Sequence, residues 1–191
     1  KKLNVVAPVA LRVNPGVDAK THPSISTGLK NNKFGVSEEI AFDLYKKMSK
    51  EPCLKISGID CHIGSQMTSG MPIIEATDKI ISLYKKLLAE GIKVDHIDMG
   101  GGLGVTYDNE TPPTPSEYCA PILERLKDLD VSIYIEPGRA MVANACILLA
   151  KVQYQKDNGD KHFIITDTGM NDMIRPALYG SWMTIINTTV H

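Results

Sequence analysis

The sequence has no apolar run long enough to cross a bilayer. Its longest candidate, Met141 to Val152, is short and carries Asn144. It has no excess of either charge: 21 Lys and Arg stand against 22 Asp and Glu, a formal net charge of −1. Nothing therefore points to a nucleic-acid partner or an acidic membrane. No cysteines pair at redox or metal spacing. Cys53, Cys61, Cys119 and Cys146 are widely separated and none forms a C-x-x-C, which argues against a zinc ribbon or dithiol motif. They read as reduced, partly buried thiols of a cytosolic protein. His22, His96, His162 and His191 have no second ligand at metal spacing, so no metal is expected. No signal peptide is visible. The chain starts on Lys1, enters an apolar segment almost at once, and ends on Ile185 to His191 without an obvious cap. The expectation is an internal fragment of a longer protein.

What is present is a repeated strand–helix grammar. Val5 to Val13 is nearly all apolar and predicts a strand buried on both faces, as in parallel sheets. Asn14-Pro-Gly16 stops it, and Asp18 to Lys33 predicts a long loop. Ser37 caps a helix with Glu38 and Glu39 in its first turn and Ile40, Leu44 and Met48 on one face. Leu54 to Ile63 is the next strand. A helix over 72–89 carries the stripe Ile73, Ala76, Ile80, Leu83, Leu87 and closes on Gly91. Val94 to Met99 is a strand. Thr114-Pro-Ser-Glu117 is a capping box opening a helix to Leu126, with Tyr118, Ile122 and Leu126 on one side. Val131 to Ile135 is a further strand. Such alternation predicts parallel strands joined by helical crossovers.

Two architectures fit that order, a β/α barrel and an open doubly wound sheet. No G-x-G-x-x-G follows the first strand, and the barrel is preferred. After Arg139 the pattern changes. Val142 to Gln155 is apolar and β-branched without helix caps, Asn158-Gly159 is a hairpin signal, and Phe163 to Thr166 is a strand. This predicts a boundary near Met141, with residues 1–140 forming part of a barrel and 141–191 starting an antiparallel β domain.

Candidate functional residues fall at strand ends, the face on which barrel active sites are built. Gly100, Gly101 and Gly102 offer backbone N–H groups without Cβ atoms, suited to a phosphate or to a plain tight turn. Glu136-Pro137-Gly138-Arg139 ends the next strand. Neighbouring strands lie roughly 5 Å apart, so Gly101 and Arg139 can reach one anion, the arginine supplying a planar cation. A carboxylate such as Glu136 beside a phosphate requires a cationic partner, for which a protonated ring nitrogen on a ligand would serve. His62 is either a core histidine or a ring lying against a planar ligand. Ser65 either donates to the phosphate or turns the chain. Arg175 and Tyr179 are either a surface pair or a carboxylate-recognition pair.

The segments Leu11 to Gly16, Ser26 to Gly35, Cys61-His-Ile-Gly-Ser-Gln66, Asp98 to Gly104, Glu136 to Arg139 and Gly169 to Gly180 together resemble diaminopimelate decarboxylases. These are pyridoxal 5'-phosphate (PLP) enzymes of the alanine racemase-like barrel fold, within the wider class of ornithine, lysine and arginine decarboxylases. Gly169 to Gly180 is the segment that favours diaminopimelate. The resemblance implies the PLP-dependent decarboxylation of meso-2,6-diaminopimelate to L-lysine. It implies that His62 stacks on the cofactor ring, that Ser65, Gly101, Gly102 and Arg139 surround its phosphate, and that Glu136 faces its ring nitrogen. Pro137 and Gly138 lie in the same cofactor-binding turn. Arg139, Arg175 and Tyr179 are implied to contact substrate carboxylates. The family's cofactor-bonding lysine and proton-donating cysteine have no counterpart here and are expected to lie outside this sequence. A homodimer is implied as well. A related decarboxylase of ornithine, arginine or carboxynorspermidine, or a non-catalytic scaffold homologue, are the alternatives.

Overall fold

A computed structural model describes residues 2–18 and 33–189 of the chain. Most of the loop predicted over Asp18 to Lys33 lies outside the described residues. The elements in order are β1 (Ala7–Asn14), β2 (Val36–Ser37), α1 (Glu38–Met48), β3 (Leu54–Asp60), α2 (Met71–Ala89), β4 (His96–Asp98), α3 (Pro115–Leu126), β5 (Ser132–Tyr134), α4 (Gly138–Val142), β6 (Val152–Asn158), β7 (Lys161–Thr166) and α5 (Arg175–Tyr179).

β1 to β5 form one five-stranded sheet in the order β2-β1-β3-β4-β5, and every pairing in it is parallel. From β1 through β3 and β4 to β5 the strands lie side by side in chain order. An open doubly wound sheet reverses its order at a switch point; here β3, β4 and β5 advance one way, as in a barrel wall. β6 and β7 form a separate antiparallel pair.

The helices form where sequence chemistry places them. Ser37 accepts from Ile40 N–H at 3.4 Å at the start of α1. The Thr114–Glu117 box closes both ways at the start of α3. The α2 stripe of Ile73, Ala76, Ile80, Leu83 and Leu87 is fully buried, and Tyr118, Ile122 and Leu126 of α3 are buried as predicted. Gly91 takes φ 76° just past α2, and Ile92 N–H returns to Leu87 O at 2.9 Å.

Three expectations are corrected. The buried residues of α1 are Ala41 and Tyr45, whereas Ile40 is 54% exposed. Tyr45 is drawn in by hydrogen bonding. Its hydroxyl donates to Gly58 O at 2.7 Å and accepts from Leu11 N–H at 3.2 Å. It bridges β1 and β3 beside the bulge between Val9 and Ala10. The strands are also not buried on both faces. One face, with Val13, Ile59, Cys61, Ile97 and Met99, forms the core. The other carries Arg12, Gly58, Asp60, His62, His96, Asp98, Ser132, Tyr134 and Glu136 by the two-residue alternation of the chain. Finally, the chain after Arg139 does not go straight to strand. α4 spans Gly138–Val142, with Met141 N–H bonded to Pro137 O and Ala143 N–H to Arg139 O. β6 begins only at Val152. The hairpin falls where Asn158-Gly159 predicts, with Gly159 at φ 59° as its first central residue.

Candidate active site

The site is built on the polar face at the C-terminal ends of β3, β4 and β5. Register makes it. Asp60 pairs with Asp98, and Asp98 with Tyr134. Two residues beyond each lie His62, Gly100 and Glu136, so all three face the same side. Residues far apart in the chain therefore converge without any sequence motif linking them.

The three glycines do more than leave room for a ligand. Gly100 has φ 67°, and a Cβ there would meet Cys61 O at 2.3 Å. A Cβ on Gly101 would meet Glu136 O at 2.2 Å, and one on Gly102 would meet the Met67 side chain at 2.2 Å. The β4 end is thus pressed between its neighbours, and only glycine permits it. Gly100 N–H is taken by Asp98 Oδ1 at 2.8 Å, and Gly101 N–H by His62 Nδ1 at 3.1 Å. No described residue accepts from Gly102 N–H.

The Gly101 bond decides the state of His62. Nδ1 accepts, so the ring proton resides on Nε2. Burial, followed by the Arg12 guanidinium, holds the His62 pKa below its ordinary value, and Asp98 opposes weakly. Arg12 Nη2 also donates to His62 O at 3.3 Å. The imidazole is a neutral, fixed plate on the polar face.

Beside it stand Asp60, Asp98 and Glu136, whose carboxylate oxygens lie within 4.8 Å of one another. Sequence reading missed the first two because they come from different strands with no spacing between them. Their mutual repulsion shows at Asp60. Burial first, then Asp98 and Glu136, raise its pKa from 3.8 to about 6, against the pull of Arg12. Its Oδ1 is buried without a hydrogen-bond partner among the described residues. Such a cluster calls for a cation on its open side.

The opposite charge lies a few residues away. Arg139 reaches across to Ser65 Oγ, at 3.1 Å from Nη2 and 3.4 Å from Nε. Its Nη1 donates to Tyr107 Oη at 2.8 Å. Arg175 lies against the same Tyr107 ring, its guanidinium carbon 5.8 Å from the centroid, and 5.4 Å from that of Tyr179. Arg175 Nη2 donates to Ser181 Oγ at 3.3 Å, while its Nε is buried with no acceptor among the described residues. The structure thus brings His62, Ser65, Gly101, Gly102, Glu136 and Arg139 together. It also joins Arg175 and Tyr179 to Arg139 through Tyr107. Pro137 and Gly138 form the turn between Glu136 and Arg139, with Gly138 N–H on Glu136 O at 2.8 Å. Tyr107 was not singled out from sequence, since it sits in a turn-rich loop with no motif of its own.

A carboxylate cluster, a neutral imidazole and a cationic arginine following neighbouring strand ends fit a planar ligand positive at one edge and anionic at another. PLP has that distribution: a protonated ring nitrogen and a phosphate. The donor set of Ser65, Gly102 N–H and Arg139 fits the phosphate, and the Asp60–Asp98–Glu136 group fits the ring cation.

Residues 1–143 match the family model described as the pyridoxal binding domain of pyridoxal-dependent decarboxylases. The chain is 58% identical over 97% of its length to a diaminopimelate decarboxylase of Haemophilus influenzae, and covers 45% of that protein. It is 52% identical to that of Vibrio cholerae, again over 97% of this chain and 45% of the relative. The crystal structure of the Helicobacter pylori diaminopimelate decarboxylase complexed with L-lysine superposes with a TM-score of 0.92 at 43% identity, covering 98% of this chain and 48% of that one. The chain therefore spans about half the length of the curated relatives it matches. With a family model matching residues 1–143 and relatives more than half identical over nearly all of its length, this chain belongs to the pyridoxal-dependent decarboxylases.

Proposed function

We propose that this chain is the cofactor- and substrate-holding part of a diaminopimelate decarboxylase, which releases carbon dioxide from meso-2,6-diaminopimelate to give L-lysine. The observation that carries the reading is the meeting of Arg139 and Arg175 at Tyr107, next to the strand ends bearing His62 and Glu136. PLP, when bound, supplies a ring that accepts the electron pair left when the carboxylate carbon departs. The protein's own residues do the rest. Glu136, with Asp60 and Asp98 beside it, holds the ring nitrogen's proton. His62 stacks against the ring as a neutral imidazole. Ser65, Gly102 N–H and Arg139 grip the phosphate, and Gly101 acts through His62. Arg139, Arg175 and Tyr179 hold the carboxylate that is not lost, which orients the other one for departure. The active form in this proposal is a cytoplasmic homodimer.

The test is carbon dioxide release by the full-length protein from diaminopimelate, ornithine, arginine and carboxynorspermidine. Diaminopimelate is expected to dominate. Arg175→Ala is expected to lower kcat/KM for diaminopimelate by about 10- to 100-fold, the loss of one or two hydrogen bonds to a charged group. Unchanged kcat/KM in that variant removes Arg175 from the site. No release from any of the four substrates by the PLP-loaded protein leaves a scaffold without catalysis.

A further inference from the structure

Tyr107 is a residue with two cationic neighbours and a loop built to hold it. Glu110 Oε2 accepts from the amides of Tyr107 at 2.9 Å and Asp108 at 2.8 Å, and Thr106 Oγ1 donates to Glu110 O at 2.9 Å. The loop is thereby closed on itself. On its other side, Gln66 clasps Val105 twice: Nε2 donates to Val105 O at 2.6 Å, and Oε1 accepts from Val105 N–H at 3.1 Å. The loop cannot shift without breaking the link between the β3 and β4 ends.

The ring so held faces two guanidinium groups. Arg139 donates to its hydroxyl at 2.8 Å with its guanidinium carbon 5.7 Å from the ring centroid, and the Arg175 carbon lies 5.8 Å from the same centroid. Two cations drawn to one place repel each other. The electron-rich ring face offsets part of that repulsion, and the hydroxyl oxygen fixes one of the two forks. Arg175 Nε is left as a buried donor with no acceptor among the described residues. A carboxylate is the ligand that such a pair accommodates, since it neutralises both cations and accepts several hydrogen bonds at once.

We propose that Tyr107 is a positioning residue that seats Arg139 and Arg175 for a substrate carboxylate, and so sets the preference for amino acids that keep a carboxylate at the far end. This rests on the function proposed above. Tyr107 acts through the two arginines and is not itself assigned to the reacting atoms.

The experiment compares L-lysine with 1,5-diaminopentane, which differs only by one carboxylate. Each is titrated by calorimetry into PLP-loaded full-length protein, wild type, Tyr107→Phe and Tyr107→Leu, with melting curves confirming the fold of each. Tyr107→Phe is expected to weaken L-lysine binding about tenfold, the loss of one hydrogen bond to a charged group. Tyr107→Leu, which also removes the ring, is expected to weaken it further. Diaminopentane binding is expected to stay within about twofold, since neither guanidinium contacts it. If the leucine variant does not fold, the phenylalanine variant decides alone. Wild-type protein that does not bind L-lysine overturns the proposed function and this inference with it. Wild-type protein that binds L-lysine, with both variants binding it equally well, overturns the role of Tyr107 alone. Equal weakening for lysine and diaminopentane also overturns it, because Tyr107 would then only be packing the pocket.

Discussion

Asp60 occupies a position that disfavours its own charge. It is partly buried, and Asp98 and Glu136 face it across the strand ends. Its folded-state pKa of about 6 lies above the ordinary 3.8, so the carboxyl favours the fold in its protonated form. That contribution is fully present below pH 3.8 and is lost as the pH rises through about 6. Asp60→Asn in cofactor-free full-length protein is therefore expected to raise stability at neutral pH by about 1 kcal/mol, a figure reduced for partial exposure. The gain should fade in acid below the Asp60 titration. Thermal unfolding followed across pH checks this, and an equal gain in acid would show that charge is not the cause. His62 presents the opposite case. Its lowered pKa and its acceptor bond from Gly101 keep the ring uncharged. None of these shifts was legible from sequence. His62 and Glu136 could be named as candidates, but Asp60 and Asp98 look like ordinary strand residues until register sets them side by side.

At the scale of elements, α2 and α3 follow their sequence closely. Their stripes repeat at helical spacing, and Thr114–Glu117 starts α3 with local bonds that need no tertiary partner. α1 does not follow its apolar stripe, because a hydrogen bond outweighs it. Tyr45 is buried as the bridge between Leu11 N–H and Gly58 O, and burial lifts its hydroxyl to about 12, so it remains a donor at all ordinary pH. Tyr45→Phe leaves both backbone groups short of a partner. It is expected to cost about 1–3 kcal/mol, measured by denaturant unfolding of the full-length protein. A loss no greater than that of an exposed tyrosine such as Tyr154 would show that the bridge is dispensable. The composition of β1, dominated by Val, Ala and Leu, predicts burial on both faces. Composition alone does not distinguish a strand covered twice from one covered by helices on a single side.

At the scale of the molecule, the core lies between the sheet and α1, α2 and α3, while the later part of the chain is mostly exposed. Ile147 is 90% and Ile185 is 93% exposed, and every residue of β6 is exposed. Among the described residues no helix is long and apolar enough to cross a membrane. Apolar surface on this scale is normally covered in a folded protein. The 191-residue chain produced by itself is therefore expected to bind a hydrophobic dye strongly and to melt over a broad range. A monodisperse sample with a sharp transition and no dye binding would contradict this.

The sequence by itself determined the strand–helix order, the two well-capped helices, the hairpin turn and the identities of the strand-end residues. These depend on contacts a few residues apart: caps, periodicity and the conformational freedom of glycine. The tertiary structure alone decided what those residues do to one another. Parallel pairing set Asp60, Asp98 and Glu136 within one cluster, the crowding of three strand ends turned Gly101 N–H onto His62, and a closed loop placed Tyr107 between Arg139 and Arg175. Each of these joins residues tens of positions apart, and the energy that joins them comes from the sheet and its core, which no local pattern encodes. The glycine run reads in sequence as a phosphate loop. In the fold two of its three amides instead hold Asp98 and His62, and only the Gly102 amide has no acceptor among the described residues.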